Sequence, residues 1–134
     1  MKKLVVDLDD TITVGSNLPY PDQSPNPDTV RKLREYRNLG FQIAIYTARN
    51  MNTHANNTGL ICAKTLPLIV TWLEKHGIPF DEIHVGKPWC GDGGFYVDDK
   101  AIRPNEFANL EYDEILSLLE KGRASRPKQG SEEQ

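Results

Sequence analysis

Three aspartates fall within four positions, Asp7, Asp9 and Asp10, and two hydroxyls follow at Thr11 and Thr13. Like charges at this spacing repel one another unless a cation or a phosphate chemistry balances them. Carboxylates act as nucleophiles toward phosphorus, as proton carriers and as ligands of hard cations. Later stretches add Thr47-Ala48-Arg49-Asn50, then Lys87-Pro88-Trp89, then the pair Asp98-Asp99. Oxygen donors in this number, with no His or Cys among them, suit Mg²⁺ rather than zinc. A lysine facing them neutralises phosphate charge, and a threonine followed by backbone N–H groups hydrogen-bonds it. The set is that of a phosphoryl group, whose transfer is mostly positioning and electrostatics.

These residues need elements that bring them together. Leu4-Val5-Val6 lies in a strand predicted over 3–8, and the acidic cluster follows at its carboxyl end, where open α/β sheets place their sites. Residues 14–27 carry four prolines and read as a loop that must lie near the cluster. Asn26-Pro27 reads as a helix cap with proline in the first turn. Val30, Leu33 and Tyr36 form that helix's apolar face, and Gly40 ends it. A second strand over 41–46 ends at Thr47. Residues 51–64 read as a loop, or a loop containing a short turn, and a helix is expected from about residue 65, with Ile69, Trp72, Leu73 and His76 on one face and Gly77 closing it. A third strand over 82–85 ends near Lys87, a fourth over 95–97 ends at Asp98, and a last helix spans 112–121 with Ile115, Leu116 and Leu119 inward. The β-α-β-α-β-β-α order predicts an α/β fold, a Rossmann-like three-layer α/β/α sandwich with a mostly parallel sheet. Its four strand ends should meet on one edge. One domain is expected over 1–121, followed by a polar, disordered tail over 122–134.

Composition narrows the classes. The chain has 134 residues, 38% of them hydrophobic and 26% charged, a net charge of −3 and a pI near 5.6. The acidic balance and the lack of a basic block argue against nucleic acid as partner. No run approaches a membrane span, and no signal-like segment precedes Asp7. Cys62 and Cys90 form no disulfide framework, so a cytoplasmic location is expected. Neither a Walker A loop, a dinucleotide fingerprint nor an EF-hand fits the spacing.

Asp7-Leu8-Asp9-Asp10-Thr11 resembles the DxDxT motif of the haloacid dehalogenase-like (HAD) phosphohydrolases. Thr47 is similar to that family's second motif, Lys87 to its third and Asp98-Asp99 to its fourth, in order and each after a predicted strand. The resemblance implies that Asp7 is the nucleophile and Asp9 the proton carrier. It implies that Thr47, the Ala48 backbone and Lys87 bind phosphate, and that Asp7, Asp9 and Asp98 or Asp99 hold Mg²⁺. The second aspartate favours a phosphatase over a dehalogenase. No segment is long enough for a cap domain, so the chain resembles capless members, which act on large exposed phosphates or have neighbours of a homo-oligomer covering the site. The stretches from Thr47 and from Gly86 are similar to small bacterial proteins of capsule or lipopolysaccharide biosynthesis, which implies a phosphorylated sugar as substrate. A phosphatase of macromolecules and a receiver-like phospho-accepting module are the alternatives. Thr11, Arg49, Asn50 and Trp89 are candidate substrate contacts. Arg49 suits either a substrate anion or an acidic partner, and Asp10 reads as a turn residue.

Overall fold

Residues 1–123 are described in the computed structural model, and the chain divides into two compact units, Met1–Gly93 and a second beginning at Gly94. The first unit contains β1 (Lys3–Val6), β2 (Thr13–Val14), a 3-10 turn (Tyr20–Asp22), β3 (Ser24–Pro25) and α1 (Pro27–Asn38). It continues with β4 (Gln42–Tyr46), α2 (Thr58–Leu60), a π-turn (Ile61–Thr65), α3 (Leu66–Lys75) and β5 (Glu82–His84). The second unit contains α4 (Pro104–Asn109) and α5 (Tyr112–Gly122).

The sheet follows from β-branched runs joined through helices. β1 pairs with β4 and β4 with β5, both in parallel, so the order β1-β4-β5 needs a crossover between each pair. Alternation sets the faces: Val6, Ile43 and Ile45 are buried, whereas Val5 is exposed. Val30, Leu33 and Tyr36 of α1 and Ile69, Trp72 and Leu73 of α3 complete the core. The fold is therefore α/β with a parallel, Rossmann-like sheet, as the element order predicts. Among the described residues no helix is long and apolar enough to cross a membrane.

The ends of α1 match their sequence signals. Asn26 Oδ1 accepts the Asp28 N–H at 3.2 Å, Pro27 occupies the first turn, and Gly40 takes φ +93 after the last turn. Asp81 then ties the helix to the sheet: its Oδ2 accepts from Arg37 Nη2 at 2.7 Å and from the Ile43 N–H at 2.8 Å.

Other expectations need correction. The loop over 14–27 is folded: β2 and β3 pair antiparallel at its base, Thr13 with Pro25 and Val14 with Ser24. The second helix begins at Thr58, because Asn57 Oδ1 caps it through the Leu60 N–H at 3.1 Å. The π-turn then carries the helix into α3, where Pro67 offers no N–H to the ladder. Residues 95–97 form no strand: Phe95 is 79% and Val97 88% exposed, and three residues without a neighbouring strand gain too few ladder bonds. Three strand ends, not four, therefore share the sheet edge. α4 was not foreseen; Pro104 opens it, and Glu106 Oε1 accepts the Arg103 N–H at 2.8 Å. In α5 Ile115 is buried but Leu116 is exposed, one position off the inward stripe. The predicted tail lies, from residue 124 on, outside the described residues, and Gly122 closes α5.

Ile45 is fully buried and Leu39 is 61% exposed. Ile45→Ala should lower unfolding free energy by about 2–5 kcal/mol and Leu39→Ala by no more than about 0.5 kcal/mol, measured by urea denaturation.

Candidate functional site

The chain leaves β1 at Val6 and coils at once. The buried Leu8 offers its carbonyl to the N–H groups of Thr11, Ile12 and Thr13 at 3.3, 2.9 and 3.0 Å. Asp10 sits in the left-handed region at φ 60, and its N–H donates to Thr13 Oγ1 at 3.2 Å. Aspartate tolerates that conformation, so Asp10 serves the turn, as its sequence position implies.

This coil places Asp7 between two donors. Thr11 Oγ1 donates to Asp7 Oδ2 at 3.1 Å, and Lys87 Nζ to Asp7 Oδ1 at 3.4 Å. Burial nevertheless raises the proton affinity of Asp7 above the ordinary carboxylate value. The Lys87 charge, the Thr11 hydroxyl and the Leu8 N–H oppose the shift without cancelling it. Lys87 reaches Asp7 from the end of β5. Gly86 precedes it at φ +87, and a Cβ there would lie 3.1 Å from Thr58 Cγ2, so no other residue fits without strain. The Lys87 N–H donates to the Thr47 carbonyl at 3.1 Å, which fixes where the side chain starts.

Thr47 also anchors a second pair. It is buried, and its Oγ1 accepts the Arg49 N–H at 3.0 Å. The Arg49 guanidinium grips Asp9 as a fork, Nη2 to Oδ1 at 2.7 Å and Nε to Oδ2 at 3.2 Å. Arg49, left between two roles by its sequence, is thus partnered by an acid. The Tyr20 ring covers the guanidinium, its centroid 3.9 Å from Cζ. Burial first, then the Asp9 charge, raises the proton affinity of the Tyr20 phenol, so the hydroxyl stays neutral.

The first unit therefore brings Asp7, Thr11 and Lys87 together, and Asp9 with Arg49, both organised on Thr47. Ala48 is half-buried, and its carbonyl accepts the Met51 N–H at 3.0 Å. Asn50 adopts φ 62, and its Oδ1 is buried without a hydrogen-bond partner among the described residues. Trp89 is about half exposed. Asp98 and Asp99 belong to the second unit; both are exposed, and Asp98 Oδ1 accepts the Lys100 N–H at 2.8 Å. Tyr20 was missed in the sequence. Its signal was there, an aromatic residue between Pro19 and Pro21 in a loop leaving the acidic cluster.

Among the described residues no group of three or more His, Cys, Asp or Glu side chains converges to hold a metal ion. Mg²⁺ commonly uses one or two carboxylates and completes its shell with water and substrate oxygens. Asp7 fits that smaller demand: its side chain is 36% exposed, so its carboxylate is within reach of a hydrated cation.

Fold and site together define a small α/β protein with its candidate chemistry at the carboxyl edge of a parallel sheet. The chain is 54% identical to an MCSG target from Vibrio cholerae of known crystal structure, with a TM-score of 0.89, covering 92% of this chain and 100% of that one. It belongs to the same family as that protein. No family model and no curated protein matches the chain.

The raised proton affinity of Asp7 has a stability consequence. The folded state holds the proton more tightly than the unfolded chain, so stability falls as pH rises from the ordinary value of 3.8 through the raised folded value. Asp7→Asn removes that penalty. Its Tm should exceed that of the wild type at pH 7, and the gap should close below pH 3.8, as read by calorimetric melts across pH.

Proposed function

We propose that the protein is a Mg²⁺-dependent phosphomonoesterase that works through an aspartyl-phosphate on Asp7. One observation carries this reading: Asp7 lies at the sheet's carboxyl edge between Lys87 and Thr11, two residues from a second carboxylate held by Arg49. The HAD resemblance of the same residues supports it.

In the reaction, an Asp7 carboxylate oxygen attacks phosphorus and the bond to the leaving oxygen breaks. Asp9 gives that oxygen its proton, which releases the alcohol. Asp9 then takes a proton from water as the water oxygen attacks phosphorus. The Asp7–phosphorus bond breaks, inorganic phosphate departs and Asp7 regains its charge. Lys87 and the Thr47-Ala48 segment face the phosphoryl oxygens. Asp7 and the Asp9 carbonyl would hold Mg²⁺, which would supply positive charge against the phosphoryl group. Assignment of Asp98 or Asp99 as a further ligand rests on the resemblance alone.

The resemblance of the stretches from Thr47 and from Gly86 to proteins of capsule or lipopolysaccharide biosynthesis supports a small phosphorylated metabolite, a sugar phosphate, as the substrate class. The net charge of −3 disfavours nucleic acid. Free, exposed Cys62 and Cys90 fit a cytoplasmic setting.

The wild type should release phosphate from p-nitrophenyl phosphate and from sugar phosphates when Mg²⁺ is present, and EDTA should stop the release. Asp7→Asn should fall to background, and Asp9→Asn should slow turnover by about 10²–10⁴-fold. Absence of release across a broad ester panel, with Asp7 still labelled by acetyl phosphate, would replace the phosphatase with a receiver-like module.

A further inference from the structure

The proline-rich segment between β2 and β3 has no part in the phosphoryl chemistry above, yet it is closely held. The hairpin closes its base, and the Asn26 N–H donates to the Ile12 carbonyl at 2.7 Å. Gln23 is 4% exposed and pins the interior: its Nε2 donates to the Leu18 carbonyl at 3.1 Å, and its own carbonyl accepts the buried Trp72 Nε1–H at 3.0 Å. The Gln23 N–H closes the 3-10 turn on the Tyr20 carbonyl at 3.2 Å. Pro19 and Pro21 fix φ on both sides of Tyr20. The ring is thus presented by a stiff frame anchored on α3, and it comes to rest on the guanidinium that grips Asp9.

The Arg49 side chain is 5% exposed, whereas that of Asp9 is 30% exposed. The carboxylate keeps access to solvent and the arginine does not. Tyr20 forms part of the cover that keeps water from the guanidinium, where charge-assisted bonds to Asp9 would otherwise compete with hydration.

We propose that Tyr20 is a positioning residue: its ring, seated on Arg49, holds the Arg49–Asp9 fork in place and so sets the orientation of the Asp9 carboxylate. Tyr20 acts through Arg49, on which its ring rests. The kinetic arm of this inference rests on the phosphatase reading, with Asp9 as the proton carrier. The contact itself does not.

Two measurements on the full chain separate the two. In the first, thermal melts of Tyr20→Ala, Arg49→Met and the double variant form a cycle that needs no activity. The proposal expects the double variant to lose less Tm than the sum of the single losses, and additive losses overturn it. In the second, kinetics with p-nitrophenyl phosphate and Mg²⁺ compare Tyr20→Ala with Tyr20→Phe. Tyr20→Ala should lower kcat about tenfold with KM within about twofold of wild type, a loss of roughly 1.4 kcal/mol of transition-state stabilisation. Tyr20→Phe keeps the ring and should restore kcat. Wild-type kcat in Tyr20→Ala, or a Tyr20→Phe variant as slow as Tyr20→Ala, overturns the proposal. A wild type inactive on every ester while the cycle is non-additive contradicts the phosphatase reading and leaves the ring–guanidinium contact standing.

Discussion

Parallel pairing of β1 with β4 is the constraint from which the candidate site follows. Lys3 to Val6 lie opposite Gln42 to Ile45, so the chain leaves both strands at the same level of the sheet. Asp7 then begins one coil where Thr47 begins the other. A slip of one residue would turn Val6 outward and Val5 inward, and would carry the acidic cluster out of step with Thr47. The fully buried Ile43 and Ile45 oppose such a slip, because their burial holds only in one register. Packing thus fixes where the charges stand.

Within that frame Thr47 distributes the work through its backbone and hydroxyl rather than through any charge of its own. Its carbonyl receives Lys87, which reaches Asp7, and its hydroxyl receives Arg49, which grips Asp9. Two carboxylates two residues apart acquire different partners, a point-charge lysine for one and a planar fork for the other. Both side chains keep partial access to solvent, 36% exposed for Asp7 and 30% for Asp9, so the partner rather than the exposure distinguishes them.

Much of this was legible in the chain because local signals and tertiary packing agree. Asn26, Pro27 and Gly40 mark α1 by backbone chemistry alone, and the apolar runs before Asp7 and Thr47 mark the central strands. Segments whose structure is decided elsewhere were not legible. The run at 95–97 has strand composition but forms no ladder, since composition does not supply a neighbour. Helix from Thr58 depends on the Asn57 cap and a π-turn that tolerates Pro67, neither of which leaves an apolar period. Arg49 was ambiguous because an arginine suits any anion, and only the position of Asp9 decides which one. Tyr20 escaped because a loop residue's contacts depend on how the loop is pinned, here by Gln23 and Trp72.

Trapping of the covalent intermediate tests the central claim most directly. Protein mixed with a turning-over phosphate ester and Mg²⁺ is quenched with borohydride, which reduces an acyl phosphate to the alcohol, and the peptides are sequenced by mass spectrometry. The account predicts reduction at Asp7 alone, dependent on substrate. Phosphate release with no reduction at Asp7, or with reduction at a different aspartate, would contradict it.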